Sequence, residues 1–177
     1  MSAGPDGITG CGNYNLLVWS SDGSRPVCNL WFLDSGTYGE KGVSKYARVE
    51  QDQIDWYTST AAALKEQYGE MLPAYLFQHI IVPEIYDLLT EVPASEKKTD
   101  GVVEGFSSRS GHYYKMGDGF TAGHLGEAPC PPDIPSGEFA AIRDTGDVVA
   151  AFFGHDHKND FVGTYEGVDL VNTSGTG

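Results

Sequence analysis

The stretch VVAAFFGHDHKNDF, positions 148–161, limits the fold more than any other part of the chain. Six apolar residues in a row, Val148 to Phe153, have strand length and read as a buried strand, which needs a sheet with cover against it. An α/β arrangement follows. Gly154 ends the run and frees the backbone to turn as it leaves the strand, the place where open α/β sheets hold ligands. His155 and His157 stand two residues apart, so on extended backbone they point to one side, roughly 6–7 Å apart. Two imidazoles so placed are candidate metal ligands, although two ordinary loop histidines would show the same spacing.

The remaining elements are consistent with a sheet flanked by helices. NYNLLVWS and PVCNLWFLDSG are apolar runs separated by the turn residues SDGSR, which predicts a β-hairpin. In QDQIDWYTSTAAALKEQYG, residues Ile54, Tyr57, Ala61, Leu64 and Tyr68 recur at helical spacing and Gly69 supplies a stop. PAYLFQHI is a short strand, and Pro83 sits where a short helix over PEIYDLL would begin. From Pro93 to about Gly137 no period is sustained, and this 93–137 segment reads as long and irregular. GEFAAIRDTGDVVAAFF then predicts a short helix, a turn and the buried strand, and DFVGTYEGVDLVNT a second hairpin.

The chain has 177 residues, enough for one domain with its own core. Its formal charge of −14, from 25 acidic and 11 basic residues, repels phosphate backbones, which argues against nucleic acid as a partner. No apolar run is long enough to span a bilayer and the first residues lack a signal-peptide pattern, so the expectation is a soluble chain with no membrane partner. Three cysteines without CxxC spacing write neither a disulfide framework nor a zinc knuckle. His112 and His124, in the irregular segment, read as solvated loop residues. Cys130, between prolines, reads as structural, and Glu84 as an acid favoured in a helix's first turn.

GHDHKNDF at the end of an apolar strand resembles the last metal-binding motif of the calcineurin-like metallophosphoesterases, in the branch related to purple acid phosphatases. PAYLFQHIIVPEIYDLL is similar to the motif before it, which assigns a ligand role to His79. GNYNLLVW, VCNLWFLDSGTYG and QIDWYTSTAAALKEQYG resemble the preceding strands and helix, so the likeness runs from about Gly12 to Asn172. The fold it implies is the C-terminal half of that family's β-sandwich, flanked by helices, with residues 1–177 as one portion of the domain. The function it implies is hydrolysis of a phosphate ester at a dinuclear centre of divalent or trivalent ions, zinc, iron or manganese.

In such a centre His79 and His155 would ligate one metal and His157 the other, with Asn159 and Asp160 near enough to orient them or simply to form a turn. The family's DxH, GDxxx and GNHE motifs, the second of which carries the bridging aspartate, belong upstream of the block that begins near residue 12, and none of them is present there. Two readings remain: a phosphoesterase that needs a missing N-terminal half, or a catalytically inactive remnant that keeps part of a metal site and acts through partners or self-association. Under either, the sheet carrying YLFQHI and VVAAFF is expected to have lost strands, turning a central strand into an edge.

Overall fold

A computed structural model of the chain describes residues 4–175 and sets the two apolar runs side by side. The strands are β1 (Tyr14–Trp19), β2 (Pro26–Phe32), β3 (Ala74–Phe77), β4 (Leu89–Val92), β5 (Val103–Glu104), β6 (Tyr113–Met116), β7 (Phe120–His124), β8 (Val148–Phe153), β9 (Asp160–Tyr165) and β10 (Val168–Asn172). The helices are α1 (Gln51–Tyr68), α2 (Ile85–Leu88) and α3 (Glu138–Thr145). Seven strands form one mixed sheet in the order β1-β2-β3-β8-β10-β9-β7, and β4-β6-β5 form a small second sheet. Neighbours from β2 through β3 and β8 to β10 run parallel, so their C-terminal ends share one rim.

The expectation of an α/β chain holds. β3 and β8 are each paired on both sides, and the edges of their sheet are β1 and β7. The hairpin β1–β2 covers one flank of β3 and the hairpin β9–β10 extends the sheet beyond β8. Within 93–137 the chain makes β5, β6, β7 and two 3-10 turns, Ala94–Glu96 and Ser107–Arg109. These strands have two to five residues, too few to show a period in sequence.

Helix α1 ends where its glycine demands: Gly69 adopts φ of 79° and its N–H donates to the Lys65 carbonyl at 2.9 Å. Ile54, Tyr57 and Ala61 are buried and Leu64 packs beside them, as the periodicity predicts. That face meets Trp31, Leu76, Ala151, Phe153 and Leu170 in one core. Asp147, in the turn before β8, is buried there and accepts from Trp31 Nε1 at 2.8 Å and from the Tyr57 hydroxyl.

The opposite face of the sheet is apolar as well, yet half-open. The rings of Tyr14, Phe32, Phe77 and Phe152 stack in a row across β1, β2, β3 and β8, with centroids 4.6, 5.2 and 5.0 Å apart. Tyr75, whose ring meets Phe152 at 6.1 Å, and Leu16, two residues from Tyr14 on β1, are exposed beside them. Parallel strands are normally covered on both faces, so this sheet has the composition of a two-sided layer and the cover of a one-sided one. No helix among the described residues is long and apolar enough to cross a membrane.

Candidate functional site

The rim formed by the C-terminal ends of β3 and β8 brings His79 and His155 together. His79 lies two residues beyond β3 and His155 two beyond β8, and His155 Nδ1 sits 3.1 Å from His79 Nε2. Their rings meet edge to face with centroids 4.9 Å apart. Backbone bonds hold the two strand ends in step: Gly154 N–H donates to the His79 carbonyl at 3.2 Å, and Gln78 N–H to the Phe152 carbonyl at 3.1 Å. The chain bends at His155 and turns at His157 just after the strand, but without a left-handed φ at Gly154, where a Cβ would touch only Thr173 Oγ1, at 3.7 Å. A cavity of about 460 Å³, lined by His79, Phe77, Phe152 and Thr173, opens beside the pair on the aromatic face.

Burial lowers the pKa of His79, and so does the charge of His157. His155 is lowered by burial first and then by His79 and His157, against a smaller opposite pull from Glu127. His157 is therefore close enough to be felt by both, while its own ring is exposed. Both members of the contacting pair are biased toward neutral imidazole, the form whose nitrogens carry a free lone pair. Tyr46, from the loop between β2 and α1, packs edge-on to His155 at 4.2 Å between centroids and stacks on Phe106 and Tyr38.

Asp156 lies in the bend after β8, where Asn159 N–H donates to its carbonyl at 3.2 Å, and its side chain is buried. Its Oδ1 accepts from Cys130 N–H at 3.0 Å, its Oδ2 has no partner, and burial pushes its pKa up to about 7. Asn159 is buried too, and its Oδ1 accepts from the N–H groups of Gly126 and Glu127 at 2.9 and 3.0 Å. Asn172 clamps the same turn through Nδ2 to the carbonyls of Asp156 and Asn159. Asn159 is thus a staple between loops, and Asp160 is the exposed first residue of β9; no hydrogen bond joins either side chain to a histidine.

No family model and no solved structure matches the chain. Curated proteins do. The chain is 31% identical over 183 residues to probable inactive purple acid phosphatase 29 of Arabidopsis thaliana, and 29% identical over 185 residues to probable inactive purple acid phosphatase 14 of the same plant. Each alignment covers 96% of this chain, but only 40% and 39% of the relative. Its relatives are purple acid phosphatase-like proteins. The chain spans about two-fifths of the length of those it matches, so their whole activity does not transfer with the likeness.

A purple acid phosphatase-like centre implies metal ions, and the donor set can be tested against them. Two nitrogen ligands of one tetrahedral zinc, each at about 2.0–2.1 Å, would lie roughly 3.3 Å apart. The 3.1 Å between His155 Nδ1 and His79 Nε2 fits that edge as well as it fits one N–H···N bond. A dinuclear centre does not fit: among the described residues no three His, Cys, Asp or Glu side chains stand together as a group that could hold a metal.

The other histidines lie elsewhere in the fold. His112 pairs with Glu91 at 2.7 Å, and His124 ends β7 opposite Asp160. Burial raises the Cys130 thiol to about 12, with Asp156 adding to the shift, so this cysteine is held as the thiol. Tyr46 and Asp156 were not singled out in the sequence. Asp156 lies in a bend, where no alternation sets side-chain direction, and Tyr46 sits in a loop without period.

Proposed function

We propose that this chain is a catalytically silent purple acid phosphatase-like unit that retains an imidazole edge for one metal ion and works against a partner on its open sheet face. The carrying observation is the contact between His79 and His155 at the ends of adjacent parallel strands. Among the described residues no third His, Cys, Asp or Glu is grouped with them as a metal site, although the charge of Glu127 is felt at His155. In the metallophosphoesterases a bridging aspartate holds two cations against their repulsion; three imidazoles supply no negative charge to do so. That the matched relatives bear the word inactive in their names supports the same reading. A bound ion would offer Lewis acidity; the chain itself contributes two nitrogens at fixed spacing, His157 nearby, and Tyr46 as a wall against His155.

A second reading, a phosphate-ester hydrolase completed by an N-terminal half, is favoured by the same strand-end placement of His79 and His155. Calorimetric titration with zinc tests what the two readings share. One zinc per chain is expected, weakened by at least about tenfold in His155→Ala; no binding, or binding unchanged by that substitution, would remove the imidazole edge from both.

The partner half of the proposal rests on the aromatic row Tyr14, Phe32, Phe77 and Phe152. In isolation this face is expected to drive self-association despite the charge of −14. Sedimentation should show oligomers that dissociate in the double variant Phe77→Ser, Phe152→Ser. A wild-type monomer with a sharp thermal transition would mean that the face needs no cover.

A further inference from the structure

The turn that carries His155 and His157 is held by the end of β10 and the residues after it. Asn172, the last residue of β10, is 2% exposed, and its Nδ2 donates to the carbonyls of Asp156 at 2.9 Å and Asn159 at 2.8 Å. Both partners are carbonyls, so the amide nitrogen and not the oxygen must face them. Thr173 donates to the Phe153 carbonyl through its N–H at 2.9 Å and its Oγ1 at 3.0 Å, and Gly175 N–H donates to the His157 carbonyl at 2.9 Å. These bonds fall on either side of His155, and on the peptide groups directly before and after His157. A residue has only two soft backbone dihedrals, so fixing both flanking peptides fixes the direction in which the His157 side chain leaves the backbone.

Asn172 is an unfavourable residue for its place unless those bonds matter. Its Oδ1 is shut from solvent and meets no hydrogen-bond partner, and a buried acceptor left unpaired destabilises the fold. An apolar side chain would avoid that loss, but it would leave the carbonyls of Asp156 and Asn159 without the amide. Gly175 is particular for a different reason: a Cβ built there would stand 3.1 Å from both Cβ and Cγ of His157, so a side chain at this position presses on the ring.

We propose that Asn172 is a positioning residue for the His155–His157 turn, with Gly175 leaving clear the space that the His157 ring occupies, so that the fold itself sets the spacing of the imidazole edge. The zinc part of the test rests on the imidazole-edge reading; the metal-free part does not. Long-range proton–nitrogen spectra of the histidine rings are recorded on metal-free wild type, Asn172→Leu and Gly175→Val. The His155 and His157 signals should shift or broaden in Asn172→Leu and those of His157 in Gly175→Val, while His112, paired with Glu91, stays put in both. Titration should then show zinc bound at least about tenfold more weakly by Asn172→Leu. Asp147→Asn, at the other end of β8 from the histidines, should lower the thermal midpoint and keep wild-type zinc affinity. Unmoved His155 and His157 signals in Asn172→Leu overturn the proposal, and so does zinc affinity that falls equally in Asp147→Asn, since it would then follow stability alone. A wild type that takes no zinc removes the imidazole edge and not the positioning, which the metal-free spectra decide. Gly175 is exposed, so its variant keeps the core intact even where Asn172→Leu fails to fold, and a His157 signal that it does not move also overturns the proposal.

Discussion

Asp147→Ala is expected to destabilise the chain by roughly 3–5 kcal/mol, since it orphans two buried donors at about 1–3 kcal/mol each and removes a charged acceptor. Trp31 Nε1 and the Tyr57 hydroxyl both end on this one carboxylate, and the Asp147 backbone carbonyl also takes Ala74 N–H at 2.7 Å. The residue therefore joins α1 to β2 through its side chain and β8 to β3 through its backbone. Asp147→Asn leaves one acceptor oxygen for two donors, so it should cost about half as much. Urea unfolding measures both. Equal losses in the two variants would show that charge, and not the count of acceptors, holds the contact.

Stability of chelator-treated chain should fall as pH rises, and Glu138→Gln should remove most of that fall. Burial, with Glu84 adding, pushes the Glu138 pKa from 4.5 up to about 8, so between those values the folded chain binds a proton that the unfolded chain releases. The contribution is fully present below about pH 4.5 and is gone once pH passes about 8. At about 1.4 kcal/mol per pKa unit it amounts to a few kcal/mol. Asp156, raised to about 7, has the same sign and leaves a smaller residual slope in the variant. Thermal midpoints from pH 5 to 9 read the effect directly; a wild-type profile that stays flat or rises would mean that Glu138 is not buried as an acid.

How much of this was legible in the sequence depended on how local its cause is. Helix α1 was fixed by its own spacing and by Gly69, and the buried strand over 148–153 by an unbroken apolar run, both properties of adjacent residues. The pairing order was not, because whether β3 and β8 lie at the edge or the centre depends on strands contributed by residues 14–32 and 160–172. Similarly, β5 and β6 are too short to show a period, and β6 is held by pairing with β5 on one side and with the more distant β4 on the other. His155 stands out by its spacing after an apolar strand and His79 only by motif resemblance, and parallel pairing of β3 with β8 explains why residues 76 positions apart touch. Glu138 gave no warning: an acid opening a helix is ordinary, and only tertiary burial makes it an acid without a partner.

The most direct test of a silent, partial centre is turnover. Chain loaded with zinc, iron or manganese and assayed on a generic aryl phosphate should release phosphate no faster than the metal salt alone, because among the described residues no group of three ligating side chains stands at His79 and His155 to hold a second cation. Turnover in the ordinary enzyme range, roughly 1–1000 per second, that is abolished by His155→Ala would contradict the account and make this chain a working phosphoesterase.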